Sequence, residues 1–98
     1  MIVAEVTIIP IGTGSSASRY VAEALRALEG LGLKYHLTPM STVFEAEDLE
    51  EVFRAVRVMH EAVIRAGAPR VETILKIDDR RDKEIDMEYK IKSILDRL

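Results

Sequence analysis

The sequence predicts an α+β fold, a ferredoxin-like βαββαβ sandwich with a four-stranded antiparallel sheet and an added C-terminal helix. Three observations predict it. Runs rich in β-branched residues alternate with helix-period runs in the order strand, helix, two strands, helix, strand. The two middle strands meet at a tight turn, Pro39-Met40, near the centre of the chain. The chain is also short, a single domain over 1–98, so it has room for one modest core, since a domain of this size buries about 60–65% of its unfolded surface.

Each element has its own signature. Residues 2–9 alternate, with Ile2, Ala4, Val6 and Ile8 on one face and Val3, Glu5, Thr7 and Ile9 on the other, and Pro10 is expected to end the strand. Gly12 to Ser16 form a loop with several candidate N-caps. From Ala17 to Leu31, Val21, Ala24, Leu25, Leu28 and Leu31 recur at helical spacing, and Gly30 and Gly32 supply the stop. Lys34–Thr38 and Ser41–Ala46 are the hairpin strands. Asp48 followed by Glu51 is a capping arrangement for a second helix, whose apolar face is Leu49, Val52, Phe53, Val56, Met59 or His60, and Val63. Gly67 and Pro69 end that helix, and Arg70–Asp78 alternates again as the last strand. After a charged turn over 79–84, a final helix carries Met87, Ile91, Ile94, Leu95 and Leu98 on one stripe.

Composition narrows the function classes. Hydrophobic residues make up 48% and charged residues 32%, as in an ordinary globular domain. The net charge is −3 with no basic block, which disfavours nucleic acid as a partner, because phosphates must be neutralised. The absence of cysteine removes disulfides, thiol nucleophiles, iron–sulfur clusters and thiolate zinc sites. Glu5 comes too early for a secretion signal, and no apolar run approaches the ~20 residues that span a bilayer, so no membrane association is expected and the location expected is cytoplasmic. Asn and Gln are absent while Glu, Lys and Arg are plentiful, a bias seen in thermophiles.

The pleat defines an open face. If the two crossover helices cover Ile2, Ala4, Val6, Ile8, Tyr35, Leu37, Phe44, Val71, Leu75 and Ile77, the other face carries Val3, Glu5, Thr7, Ile9, Lys34, His36, Thr38, Ser41, Val43, Glu45, Glu72, Ile74, Lys76 and Asp78. This set is too apolar to be simply solvated and too polar for a dry core, which is the character of a partner face with a wet pocket in it. The C-terminal helix is expected to cover part of this face or to pack on another subunit, in a symmetric homo-oligomer.

Glu5, Glu45 and Glu72, with Lys76 nearby, suit a cationic or amine-bearing ligand; cross-strand ion pairs with Lys34 and Lys76 are the alternative, and the pattern leaves both open. Gly12-x-Gly14-x-x-Ala17 matches the dinucleotide fingerprint only formally, because that motif needs a doubly wound parallel sheet. What remains is an anion-binding candidate, the amides of Thr13, Gly14, Ser15 and Ser16 at a helix start. His36 and His60 have no metal-ligand spacing around them, and Ser15, Ser16 and Ser41 have no histidine placed to activate them. Asp78 to Asp82 reads as a solvated turn. An acylphosphatase-type enzyme would need an arginine in the loop after the first strand, and an RNA-binding module would need outward aromatics on the central strands. Neither is present, and no catalytic residue, metal or cofactor is expected.

The whole chain resembles the small thiamine-binding protein family, related to YkoF-type proteins. The similar stretches are EVTIIPIGT from Glu5 to Thr13, Tyr35 followed by MSTVFEAED from Met40 to Asp48, HEAV from His60, AGAPRV from Ala66 and KIDDRRD from Lys76. The resemblance implies a ferredoxin-like fold, dimers through sheet edges, and tetramers through packed open faces. It also implies binding of thiamine or its hydroxymethylpyrimidine moiety without catalysis.

Pleat geometry then nominates the contacts. Glu45 and Glu5 balance the cation or accept from the exocyclic amine, Thr7, Thr38 and Ser41 complete the hydrogen bonds, and Val43, Ile9 and Ile74 touch the ring faces, with Lys76 beside them. Tyr35 or Tyr89 would supply any aromatic stacking. The function expected is a non-enzymatic homodimeric or homotetrameric binding protein. The alternative is a structural or regulatory homo-oligomer that binds another small anion or no ligand.

Overall fold

A computed structural model describes residues 1–98. The elements run β1 (Ile2–Ile11), α1 (Ser18–Glu29), β2 (Tyr35–Leu37), β3 (Thr42–Ala46), α2 (Leu49–Arg65), β4 (Arg70–Asp78) and α3 (Met87–Leu95). The four strands form one antiparallel sheet in the order β2-β3-β1-β4, the α+β arrangement that the pattern predicts.

The core lies between one sheet face and helices α1 and α2. Ile2, Ala4, Val6, Ile8 and Phe44 meet Tyr20, Ala24, Leu28, Val52, Ala55, Met59 and Val63, all buried. Phe44, Leu28, Val52 and Val63 are fully enclosed, and each such side chain contributes about 1.5–3 kcal/mol relative to exposure. A second, smaller cluster sits on the opposite face, where Val3, Ile85 and Met87 are buried with Val43 and Tyr89 against them. That cluster is the seat of α3.

Register decides which residues share the open face. Val3 pairs with Glu45 and Asp78, and Glu5 pairs with Val43 and Lys76. His36 pairs with Val43, and Thr7 pairs with Ile74. These residues alternate with the core set, as the pleat requires.

Several details differ from the sequence reading. Strand β1 runs through Pro10 to Ile11, because β4 pairs with it as far as Ile11–Arg70. Its pairing with β3 stops at Val6–Thr42, so proline falls where one side of the strand is already open and its missing N–H is tolerated. None of the loop hydroxyls caps α1; the N-cap is Ala17, with no side-chain bond. Leu37, expected beneath the helices, is 61% exposed, because β2 is a three-residue edge strand. Phe53, expected on the buried face of α2, is 55% exposed.

The capping of α2 has the predicted acceptor and an altered partner. The Asp48 carboxylate accepts from the Glu51 amide at 2.8 Å, while the Glu51 carboxylate accepts from the Glu47 amide at 3.0 Å, one residue earlier than in a standard capping box. Gly12, at φ +85°, lies where an added Cβ would stand 3.0 Å from Pro69 Cγ, so both its backbone conformation and this close approach require glycine.

Candidate functional site

The site grows from the hairpin. Thr38 folds the β2–β3 turn through its hydroxyl, which accepts from the amides of Ser41 (3.0 Å) and Met40 (3.3 Å) and donates to the Ser41 carbonyl at 2.9 Å. This local network replaces the ladder bonds that the chain gives up on reversing at Pro39. It also aims Ser41 Oγ across the sheet, where it donates to Glu5 Oε2 at 2.9 Å. Thr7 Oγ1 lies 3.5 Å from the Met40 carbonyl, at the same end of the face.

Two separate depressions hold the partners of this bond, one Glu5 and the other Ser41. One, of about 420 Å³, runs along the open face and is lined by Val3, Glu5, Val43, Lys76, Asp78 and Lys90. The other, of about 130 Å³, opens where β1 continues beyond the end of β3, and takes its walls from Thr7, Ile8, Thr38, Met40, Ser41 and Met59 among others. The structure thus places Glu5, Val43 and Lys76 in the first depression and Thr7, Thr38 and Ser41 in the second, three stretches of sequence linked by the Ser41–Glu5 bond. Ile9 and Ile74 continue the face, 37% and 58% exposed.

Glu45 has a different setting from the one expected. It is only 6% exposed, and its Oε2 accepts from the amide of Met87 at 2.7 Å. A buried carboxylate needs such a partner; here the first amide of α3, with the helix dipole behind it, supplies one. Asp86 caps the same helix, accepting from the Tyr89 amide at 2.7 Å. Glu45 therefore fastens α3 to the sheet, and the depression on this face keeps Glu5 and Asp78 as its carboxylates. The role of Met87 was invisible in the sequence because a backbone amide carries no side-chain signature.

The ion pairs divide between the two readings of the sequence. Lys76 Nζ stands 3.8 Å from Glu5 Oε1, a long, exposed pair that is worth little. Lys34 pairs with Glu88 of α3, and Glu72 with Arg70 of its own strand at 3.7 Å. Glu5 is left with one weak cation and one hydroxyl, so a cationic ligand has a carboxylate to meet.

The remaining candidates lie apart. His36 is exposed, and His60 Nδ1 shares a 2.6 Å hydrogen bond with Thr73 Oγ1 between α2 and β4. Thr13 to Ser16 follow the C-terminal end of β1; Ser15 and Ser16 are exposed, and the buried Thr13 Oγ1 has no hydrogen-bond partner. Tyr35 donates to Glu29 outside the depressions, which raises its phenol pKa above the usual value. Tyr89 stands beside Val43 and Val3 but donates no ring to either depression's wall. No group of His, Asp and Glu side chains is clustered closely enough to hold a metal ion, and no helix is long and apolar enough to cross a membrane.

Comparison with known proteins adds an independent line. A family model described as thiamine-binding protein matches residues 4–95. A UPF0045 protein of Methanothermobacter thermautotrophicus is 50% identical over 99 residues, with all of both chains covered. A UPF0045 protein of Bacillus subtilis is 48% identical, covering 96% of this chain and 94% of the relative. Among solved structures, a hypothetical protein of Methanocaldococcus jannaschii superposes with a TM-score of 0.88 at 43% identity, over 95% of this chain and 94% of the other. A Thermotoga maritima protein named as a candidate in thiamine biosynthesis or salvage superposes with a TM-score of 0.80 over 95% of this chain and 97% of its own. At 20% identity, that last likeness shows the shared fold alone.

Proposed function

The chain belongs to the thiamine-binding protein family, and on that premise we propose that it is a non-catalytic binding protein for thiamine or its hydroxymethylpyrimidine moiety. The ligand lies on the open sheet face, within a cytoplasmic homodimer or homotetramer. The observation that carries this reading is Glu5, a half-exposed carboxylate in a depression walled by Val3 and Val43 and joined to Ser41. A thiazolium cation or an exocyclic amine meets the carboxylate, and the apolar walls take the ring. The hydroxyls of Thr7, Thr38 and Ser41 supply orientation, Lys76 borders the site, and Ile9 and Ile74 extend its apolar floor. Glu45 acts from beneath by holding α3 in place.

Titration calorimetry with thiamine, and with its pyrimidine fragment, tests the proposal. Saturable binding is expected, and Glu5→Gln should weaken thiamine at least about tenfold, or ~1.4 kcal/mol. Absence of heat at about millimolar thiamine with folded protein, which is ~4 kcal/mol of affinity, would remove the ligand and leave the second reading. That reading is a structural or regulatory homo-oligomer. It is favoured by the outer stripe of α3, where Ile91, Ile94 and Leu95 are 54%, 63% and 59% exposed.

A further inference from the structure

A cavity between α3 and the segment that leads into it holds a charge cluster outside the sheet-face site. It encloses about 350 Å³, and its walls include Asp78, Arg80, Tyr89, Lys90, Ser93 and Arg97. The chain as a whole is acidic, with a net charge of −3. Here, however, Arg80, Lys90 and Arg97 line the cavity with Asp78, and Lys83 stands beside its Tyr89. Arg80 is held by both oxygens of Asp82, at 2.8 and 3.1 Å, and Lys90 pairs with Asp78. Arg97 and Lys83 form no ion pair; Lys83 instead donates to the Tyr89 phenol oxygen and lies 4.5 Å from the ring centroid.

The phenol oxygen reports the field at this spot. Its pKa is lowered from the usual 10.0, first by the Lys83 hydrogen bond and then by the positive charges of Lys83, Arg80 and Arg97. Those cations come from two segments, the 80–83 turn and the end of α3, so the folded chain assembles a field that neither segment makes alone. The cations that lower the pKa surround this point, and a bound oxyanion would share them with a phenol that stays protonated.

We propose that this cavity is an oxyanion site for a phosphoryl group, with Arg97 on its wall and Lys83 beside Tyr89 as the free cations and the Tyr89 hydroxyl as a neutral donor. A planar guanidinium that presents paired N–H groups, beside a compact ammonium, matches the oxygens of a phosphate. Two cations without a carboxylate partner favour a multiply charged anion over a simple carboxylate. Asp78 and Lys90 also border the depression that holds Glu5, so the phosphoryl group is either a free inorganic anion or the phosphate of an ester whose organic part lies on the sheet face. The ester source alone rests on the function proposed above.

Titration calorimetry at low ionic strength, where exposed charges are least screened, separates these sources. Inorganic pyrophosphate is the free-anion probe, and thiamine monophosphate measured against thiamine is the ester probe. Saturable binding is expected in at least one arm, weakened about tenfold or more in the Lys83→Ala/Arg97→Ala protein, whose altered side chains are both exposed. Lys92→Ala is the charge control, since Lys92 pairs with Asp96 away from the cavity, and it should leave binding unchanged. The bound anion should also raise the phenol titration seen in ultraviolet absorbance, and Tyr89→Phe should abolish that change. Pyrophosphate that binds while thiamine does not would support the site and refute the ligand reading. No saturable binding by either probe, or equal loss in Lys92→Ala, would overturn the site.

Discussion

Glu45 shows how one buried carboxylate can organise a face of the protein. It sits 6% exposed beneath α3 with the Met87 amide as its partner. Glu45→Ala would strand that amide in a buried place, which costs roughly 1–3 kcal/mol. Urea denaturation should show this loss, with much of it recovered in Glu45→Gln, whose amide oxygen still accepts. A cost near zero for Glu45→Ala would mean that α3 is held by its apolar contacts alone. The same variant should weaken thiamine only through the displacement of α3, whereas Glu5→Gln acts on the ligand directly with little effect on stability. The two glutamates lie on one sheet face and differ in role because of what covers them.

The elements owe their boundaries to local chemistry and their positions to packing. α2 begins where Asp48 adopts an extended backbone and accepts from Glu51, with Glu50 and Glu51 in the first turn facing the positive end of the helix dipole. Asp48→Ala should cost about 1 kcal/mol, read as a lower thermal midpoint, and Asp48→Asn should restore most of it. α1 begins without any side-chain cap and with no acidic residue in its first turn. It is held instead by Tyr20, Ala24 and Leu28, which are buried against the sheet and α2. Burial overrides the missing cap because the apolar face of the helix is worth more than one hydrogen bond.

At the scale of the whole molecule, α3 is the helix whose apolar stripe lies most open. Its first turn is anchored by Met87 and Ile85, but the stripe of Ile91, Ile94 and Leu95 faces solvent. The Cα radius of gyration is 14.3 Å, with extents of 42 × 31 × 19 Å, against roughly 12–13 Å for a compact domain of this length. An elongated chain with an apolar helix stripe and an exposed Ile74 on the sheet offers the surface that the proposed homo-oligomer would cover. Light scattering at micromolar concentration should therefore show a dimer or tetramer, and Ile91→Asp with Leu95→Asp should shift it to a smaller species without loss of helical signal. A wild-type protein that is monomeric under those conditions would refute self-association.

Read from sequence alone, the chain determined its fold class, its strand and helix order, the hairpin at Pro39-Met40, the Asp48 cap and the division of each strand into a core face and an open face. These are legible because periods of 2 and 3.6 residues, turn residues and caps are local features written in neighbouring side chains. The grouping of Glu5, Thr7, Thr38, Ser41, Val43 and Lys76 was also within reach, since pleat alternation places them once the strand order is known. Tertiary structure alone decided which of these residues stay open. The seat of α3 on the face includes a carboxylate from β3 that meets a backbone amide 42 positions along the chain. The convergence of Lys83, Arg80 and Arg97 on Tyr89 likewise exists only once the 80–83 turn folds back on the end of α3. Such long-range meetings leave no periodic trace, because their partners are set by where elements pack, and that is a property of the whole chain.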